Sequence, residues 1–244
     1  MIVHKSDNLS VVILAGGLGT RLRPVVSDRQ KVIAEIHGKP FLYNILDQLI
    51  KAEITEVILC TGYLGNQVQA AIGERYKSII IRYSQENEPL GTGGAIIHAR
   101  HLFSGKVILV MNGDSYCNLH LSKFINSHLE RTNIGSLVVT WVPDIKRYGH
   151  VKFDKFGNIN AFFEKGAHSG PGWINAGIYL LSTDLFQNIE QQYPISIERD
   201  LFPRWIQKGL YAYQSRAKFL DIGLPETYLK AQTFFYREST NAAS

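Results

Sequence analysis

Leu14-Ala15-Gly16-Gly17-Leu18-Gly19-Thr20-Arg21-Leu22-Arg23-Pro24 decides the fold. The apolar run 11–15 reads as a buried strand that passes directly into three glycines within four positions, then a hydroxyl and two guanidinium groups. Glycines let a backbone approach a polyphosphate closely and aim several N–H groups at it. Arg21 adds a planar fork of donors suited to phosphate oxygens. The run is not a Walker A loop, which needs Gly-Lys-Ser/Thr, nor a dinucleotide fingerprint, which needs Gly where Leu22 stands.

Working outward, strand-like apolar runs alternate with helical patterns. Pro40 stands at a helix start, after which Phe41, Ile45 and Leu49, with Leu42 and Leu46, share one face. Residues 57–61 read as a strand, 66–76 as a helix, 79–83 as a strand, 92–103 as a helix and 107–111 as a very apolar strand. The pattern implies an α/β fold: a Rossmann-like open, mixed but mostly parallel sheet with helices on both faces. The second half is less regular. Strands 150–154 and 159–163 flank a turn at Gly157-Asn158, 174–181 is another strand, and 197–207 and 225–237 read as helices. With no repeat or composition break, residues 1–244 read as one domain with a small insertion at about 140–175 covering the substrate. The small polar tail after Glu238 reads as frayed.

Bulk properties narrow the class. A chain of 244 residues with 45% hydrophobic and 19% charged residues can bury one proper core. No apolar run reaches membrane-spanning length, and the apolar stretch near the N-terminus ends at Gly16-Gly17, too short for a signal peptide. Cys60 and Cys117 lie in apolar segments without metal-pair spacing, as reduced buried thiols do, and a cytoplasmic location is expected. The net charge of +5 is spread along the chain without a nucleic-acid-binding signature. A small-molecule enzyme with phosphorylated substrates accounts for it better than nucleic acid does.

Two aspartates carry the remaining chemistry. The run 107–111 delivers Asn112-Gly113-Asp114 at the carboxyl end of a strand, where open α/β sheets gather their ligands. Asp221 sits in Phe219-Leu220-Asp221-Ile222-Gly223, again after an apolar run. Mg²⁺ binds hard oxygens, commonly one or two carboxylates completed by substrate phosphates. Either Asp alone reads equally well as a turn residue; together they point to a metal.

Leu-Ala-Gly-Gly-x-Gly-Thr-Arg-Leu-x-Pro resembles the signature of the sugar-1-phosphate nucleotidyltransferase family, and the similarity runs along nearly the whole chain. The resemblance implies that Leu14, Ala15, Gly16, Gly17, Gly19, Thr20 and Arg21 hold a nucleoside triphosphate. It further implies that Gln85, Gly91, Thr92 and Asn112 meet base and ribose, and that Asp114 and Asp221 bind Mg²⁺ as cofactor. The family's Pro-Lys-Pro segment, whose Lys contacts the triphosphate, corresponds here to Gln30-Lys31-Val32, which keeps Lys31 and neither proline. Gly149, Glu164, Lys165 and Asn175 resemble the family's sugar-phosphate contacts, with Gly166 where the family often has Pro; His150 reads as a surface residue of the hairpin. Arg21, Lys31 and Asp114 would then be catalytic. A sugar 1-phosphate needs no general base, in keeping with the lack of a Ser or His constellation. The compact length and the Leu90–Ala95 run are most similar to D-glycero-α-D-manno-heptose 1-phosphate guanylyltransferases, which implies GTP and a heptose 1-phosphate as substrates, no nucleic-acid or membrane partner, and a homo-oligomer as the family's expectation. Mannose 1-phosphate guanylyltransferases, glucose 1-phosphate thymidylyltransferases and uridylyltransferases of amino-sugar salvage share most of these motifs. A non-catalytic nucleotide-binding regulator would lose Arg21 or a metal Asp, and this chain keeps them.

Overall fold

A computed structural model describes residues 9–189 and 194–241. Strand β1 (Leu9–Leu14) opens into the glycine loop, a short 3₁₀ turn at Lys31–Ile33, and the small hairpin of β2 (Glu35–Ile36) and β3 (Lys39–Pro40). Helix α1 (Leu42–Lys51), β4 (Glu56–Thr61), α2 (Gly65–Ile72), β5 (Arg75–Tyr76), β6 (Ile79–Gln85), α3 (Gly91–Ala99) and β7 (Val107–Asn112) follow. The second half adds β8 (Ser115–Cys117), α4 (Leu121–Leu129), β9 (Gly135–Val142), β10 (His150–Phe153), β11 (Ile159–Phe163) and the long β12 (Gly172–Ser182). A π turn at Ile197–Leu201 leads into α5 (Phe202–Trp205), then β13 (Leu210–Ser215), β14 (Phe219–Asp221) and α6 (Pro225–Asn241).

The centre of the sheet is parallel, in the spatial order β7-β1-β4-β6. Order therefore reverses between β1 and β7, the place where an open α/β sheet leaves a crevice beyond its carboxyl ends. Strand β12 adds antiparallel to β7, β9 adds antiparallel to β12, and β13 adds parallel to β9. Side chains alternate between two apolar layers with the period of a strand. Val11 and Ile13 of β1, Val57 and Leu59 of β4, and Leu109 and Met111 of β7 enter the layer beneath α1 and α4. Val12, Ile58, Cys60, Ile108 and Val110 enter the opposite layer, beneath α3 and α5. Helices thus cover both faces of β1, β4 and β7, whose interiors are buried on both sides, while β6 is exposed at Ile80 and Arg82.

The elements differ from the sequence reading in instructive ways. The helix expected over 66–76 stops at Ile72, because Gly73 takes a left-handed φ of 73° and its N–H closes onto the Gln69 carbonyl. Arg75–Tyr76 then pairs with β6. The helix expected over 197–207 is a π turn, one α turn and a 3₁₀ turn in series. Within the region 140–175, the hairpin β10–β11 extends the main sheet through the His150–Ile174 pair. Helix α6 continues to Asn241, past the Glu238 where a tail is expected; residues 242–244 lie outside those described.

The switch point is tight. The Gly113 N–H donates to the Leu14 carbonyl at 2.9 Å, and a Cβ on Gly113 would lie 2.7 Å from that same oxygen. A Cβ on Gly17 would meet nothing within 4 Å. Gly113→Ala should therefore lower unfolding stability by about 1–3 kcal/mol, the usual cost of forced overpacking. Gly17→Ala should stay within about 0.5 kcal/mol of the parent, as at open surface sites. Urea unfolding followed by circular dichroism reads both; equal stabilities would refute the close-approach argument.

Candidate active site

Two adjoining cavities open along the carboxyl ends of β1 and β7, of about 250 and 480 Å³. The first is lined by the glycine loop from Leu14 to Leu18, by Lys31, and by Glu86, Gly91 and Thr92 on the other bank. The second is lined by Arg21, Gly149, Glu164, Lys165, Asn175 and Asp221. Asn112 and Asp114 line both, so the loop after β7 is the wall through which the two spaces communicate. The Asn112 Oδ1 is buried there with no hydrogen-bond partner among the described residues.

The carboxylates stand together because β8 and β14 pair antiparallel, with Asp221 opposite Ser115, and the Ile222 N–H donates to the Asp114 carbonyl at 3.0 Å. Burial pushes the Asp114 carboxyl up, but its ion pair with Lys31 and the charge of Lys165 bring it below the usual carboxylate range. Asp221 moves the other way: burial and the neighbouring Asp114 charge raise it, against a hydrogen bond from the Gly223 N–H. Two carboxylates converging on one space with only partial compensation suit a divalent cation with oxygen preference. Among the described residues no group of three or more metal-ligating side chains forms, so such a cation would need substrate oxygens.

On the glycine-loop side, Gln30 is 2% exposed and engaged at both ends. Its Nε2 donates to the Ala15 carbonyl at 2.7 Å and the Gly17 carbonyl at 3.0 Å, and its Oε1 accepts from the Val32 N–H at 2.6 Å. Gly19, at φ 61°, makes the turn that lets the Leu22 N–H close onto its carbonyl, and Arg21 follows into the second cavity. Arg23 instead lies over the Tyr63 ring at 5.1 Å.

On the other side, β12 carries a bulge between Asn175 and Tyr179. Gly177, at φ 72°, sits in it, where a Cβ would lie 2.6 Å from the Asn112 side chain. The bulge turns Asn175 into the cavity. Its Oδ1 accepts from the Gly177 N–H at 3.0 Å and its Nδ2 donates to the Tyr179 hydroxyl at 2.9 Å. The fully buried Tyr179 then donates to Glu198 at 3.1 Å, and Glu198 also accepts from Thr92 at 3.0 Å and Ser196 at 3.1 Å. A single carboxylate thus joins the two banks. Gly166, at φ 84°, donates its N–H to the Lys146 carbonyl at 2.9 Å. A proline could adopt neither that φ nor that bond, so the glycine ties down the loop behind Glu164-Lys165 rather than loosening it.

Most sequence-expected residues meet at these cavities; three do not line either. Gly19 and Thr20 sit outside both linings, and Gln85 faces the far side, within 3.4 Å of Asn66. Its neighbour Glu86 lines the first cavity instead, its carboxyl raised by burial. The N–H groups of Gly93 and Gly94, at the start of α3, both donate to the Ile195 carbonyl. Gln30, Glu198 and Tyr179 escape the sequence reading. His150, read there as a surface residue of the hairpin, lines the second cavity, stacked on Phe163 with ring centroids 4.3 Å apart.

A phosphate-type glycine loop at a switch point, opening onto a second polar cavity through a shared carboxylate, defines an enzyme of the nucleotide-diphospho-sugar transferase fold. The chain belongs to the Nucleotidyl transferase family, whose pattern it matches over residues 10–238. It is 39% identical over 92% of its length to a D-glycero-alpha-D-manno-heptose 1-phosphate guanylyltransferase of Aneurinibacillus thermoaerophilus, covering 97% of that protein. It is 36% identical to the enzyme of the same name from Campylobacter jejuni, with 90% of this chain and 97% of that one aligned. The crystal structure of HddC from Yersinia pseudotuberculosis complexed with GMP-PN superposes with a TM-score of 0.83 at 37% identity, over 93% of this chain and 99% of that one. Among the described residues no helix is long and apolar enough to cross a membrane.

The bridge through Glu198 is testable without substrate. Glu198→Ala removes the shared acceptor of three hydroxyls and strands the buried Tyr179 hydroxyl proton. It should cost about 1–3 kcal/mol in urea unfolding; a change under about 0.5 kcal/mol would show the bridge to be energetically idle.

Proposed function

We propose that this chain transfers a guanylyl group from GTP to D-glycero-α-D-manno-heptose 1-phosphate, giving GDP-heptose and pyrophosphate. The single observation that supports it most is the pair of cavities sharing Asn112 and Asp114, one walled by the glycine loop and the other by Glu164, Lys165 and Asn175. A triphosphate in the first and a sugar phosphate in the second would bring the reacting atoms together at the shared wall. The likeness to heptose 1-phosphate guanylyltransferases supports the choice of base and sugar.

On this reading the N–H groups of the glycine loop and the Lys31 side chain hold the triphosphate in the first cavity, Arg21 meets its phosphates from the second across the shared wall, and Asn112 with Gly91 and Thr92 faces the nucleoside. Glu164 and Asn175 offer acceptors and NH₂ donors to sugar hydroxyls, the Gly149 backbone lies alongside, and Lys165 neutralises the sugar phosphate. Asp114 and Asp221 would hold Mg²⁺, which when bound neutralises charge on the phosphate oxygens. The acceptor phosphate oxygen, already anionic, attacks the α-phosphorus and the bond to the pyrophosphate breaks, with no proton to remove. Catalysis is then alignment and charge neutralisation. Arg21 and Lys31 stabilise the departing charge.

Pyrophosphate release across five nucleoside triphosphates and the 1-phosphates of heptose, mannose, glucose and N-acetylmuramate should peak for GTP with the heptose. A maximum elsewhere in the panel replaces the base or sugar named here; no turnover anywhere refutes transfer. Asp114→Asn should abolish turnover while leaving the circular dichroism spectrum unchanged, and near-normal activity with added Mg²⁺ would remove Asp114 from the site. Arg21→Ala should lower kcat by about 10²-fold or more, the scale of a lost transition-state contact.

A further inference from the structure

We propose that Gln30 is a positioning residue for phosphate binding: its side-chain amide orients the glycine loop and couples that orientation to the turn carrying Lys31. The proposal rests on the nucleotide reading above. It starts from two carbonyls. Ala15 O and Gly17 O both point at the Gln30 Nε2, at 2.7 and 3.0 Å. In a trans peptide the N–H of the next residue points opposite to the carbonyl. The N–H groups of Gly16 and Leu18 are therefore aimed away from the Gln30 amide. Gly16, Gly17 and Leu18 line the first cavity, and so does Gln30. Two carbonyl oxygens that would repel a polyphosphate there are thereby occupied by the amide, and the two N–H groups are left unengaged by it.

The other end of the same amide does separate work. Oε1 accepts from the Val32 N–H and so caps the 3₁₀ turn Lys31–Ile33. Lys31 leaves that turn to pair with Asp114. One neutral side chain therefore fixes both phosphate-facing segments relative to each other, with no charge of its own to compete for the ligand. The backbone of Gln30, at φ −68°, already has the value a proline would impose. A proline at position 30 would keep the turn's entry angle and lose every bond to the loop. Stiffness of the turn and orientation of the loop are thus separable by mutation.

Gln30→Met keeps length and apolar volume without the hydrogen bonds; Gln30→Pro keeps the backbone angle without the amide. Both are measured at about 10 °C on protein whose thermal melt shows a folded baseline there, with Gln30→Leu replacing whichever does not fold. The expected result is a rise of tenfold or more in the Kd for GTP with Mg²⁺ by calorimetry and in the KM for GTP, with the KM for the sugar 1-phosphate within twofold of the parent. A purely structural role would move both KM values or neither. GTP affinity within twofold of the parent in either variant overturns the proposal, and in the proline variant would assign the effect to turn stiffness alone. A parent chain that binds none of the five triphosphates overturns the nucleotide reading and this proposal with it.

Discussion

The hydrogen bond from the Gly113 N–H to the Leu14 carbonyl locks the carboxyl ends of β1 and β7 together, and everything functional hangs from those two ends. Parallel strands cannot be joined by tight hairpins, so consecutive strands arrive by crossovers, and the direction of crossing must reverse somewhere. Here it reverses between β1 and β7. The loops after these neighbouring strands diverge and leave a gap that main chain does not fill. One loop is mostly glycine and exposes its peptide groups; the other is Asn112-Gly113-Asp114 and brings an amide and a carboxylate. The apolar layers on both faces make the strands rigid, which gives the two loops fixed anchors.

Beyond that point the cleft is organised by hydrogen bonds among amides, hydroxyls and one carboxylate. Gln30 holds one bank, Asn175 and Tyr179 the other, and Glu198 joins them across α3. The cations that face the cavities, Arg21, Lys31, Lys165 and Arg199, come from four different segments. Cations close to one another repel and wander; amides and hydroxyls lock geometry without long-range cost. Apart from the Glu198 carboxylate and the Lys31–Asp114 pair, the structure fixes the shape of the cleft with dipoles.

What the sequence revealed and what it hid follow from range. The parallel centre was legible because 11–15, 57–61, 79–83 and 107–111 are continuous apolar runs separated by helical periods, a local signal. Most of the cleft residues were legible because glycines, lysine and aspartates cluster in short motifs at strand ends. Three kinds of feature stayed hidden. Residues 121–129, 135–142 and 210–215 form α4, β9 and β13, whose identity as elements depends on tertiary pairing. The start of α3 is held by Ile195, about a hundred positions away, which takes the Gly93 and Gly94 amides and leaves no trace in the local sequence. Gln30 and Glu198 carry no spacing rule at all, because an amide or carboxylate becomes structural only when folding supplies its partners. Gly166, where the family often has Pro, makes a bond and takes a backbone angle that proline lacks, and neither can be read from the substitution alone.

The bulge in β12 has a wider meaning. Before it, from Gly172 to Asn175, the strand borders β9 and the β10–β11 hairpin; after it, from Ile178 to Ser182, the strand is bolted between β7 and β9. One continuous chain is thus foundation at one end and partition at the other, with a break in register between them. Changes to the partition do not propagate into the foundation, because the register is reset within four residues. A scaffold built this way can trade the shape of one chamber over evolutionary time while its neighbour keeps the same walls, so that many acceptors can be served by lineages sharing a single donor compartment.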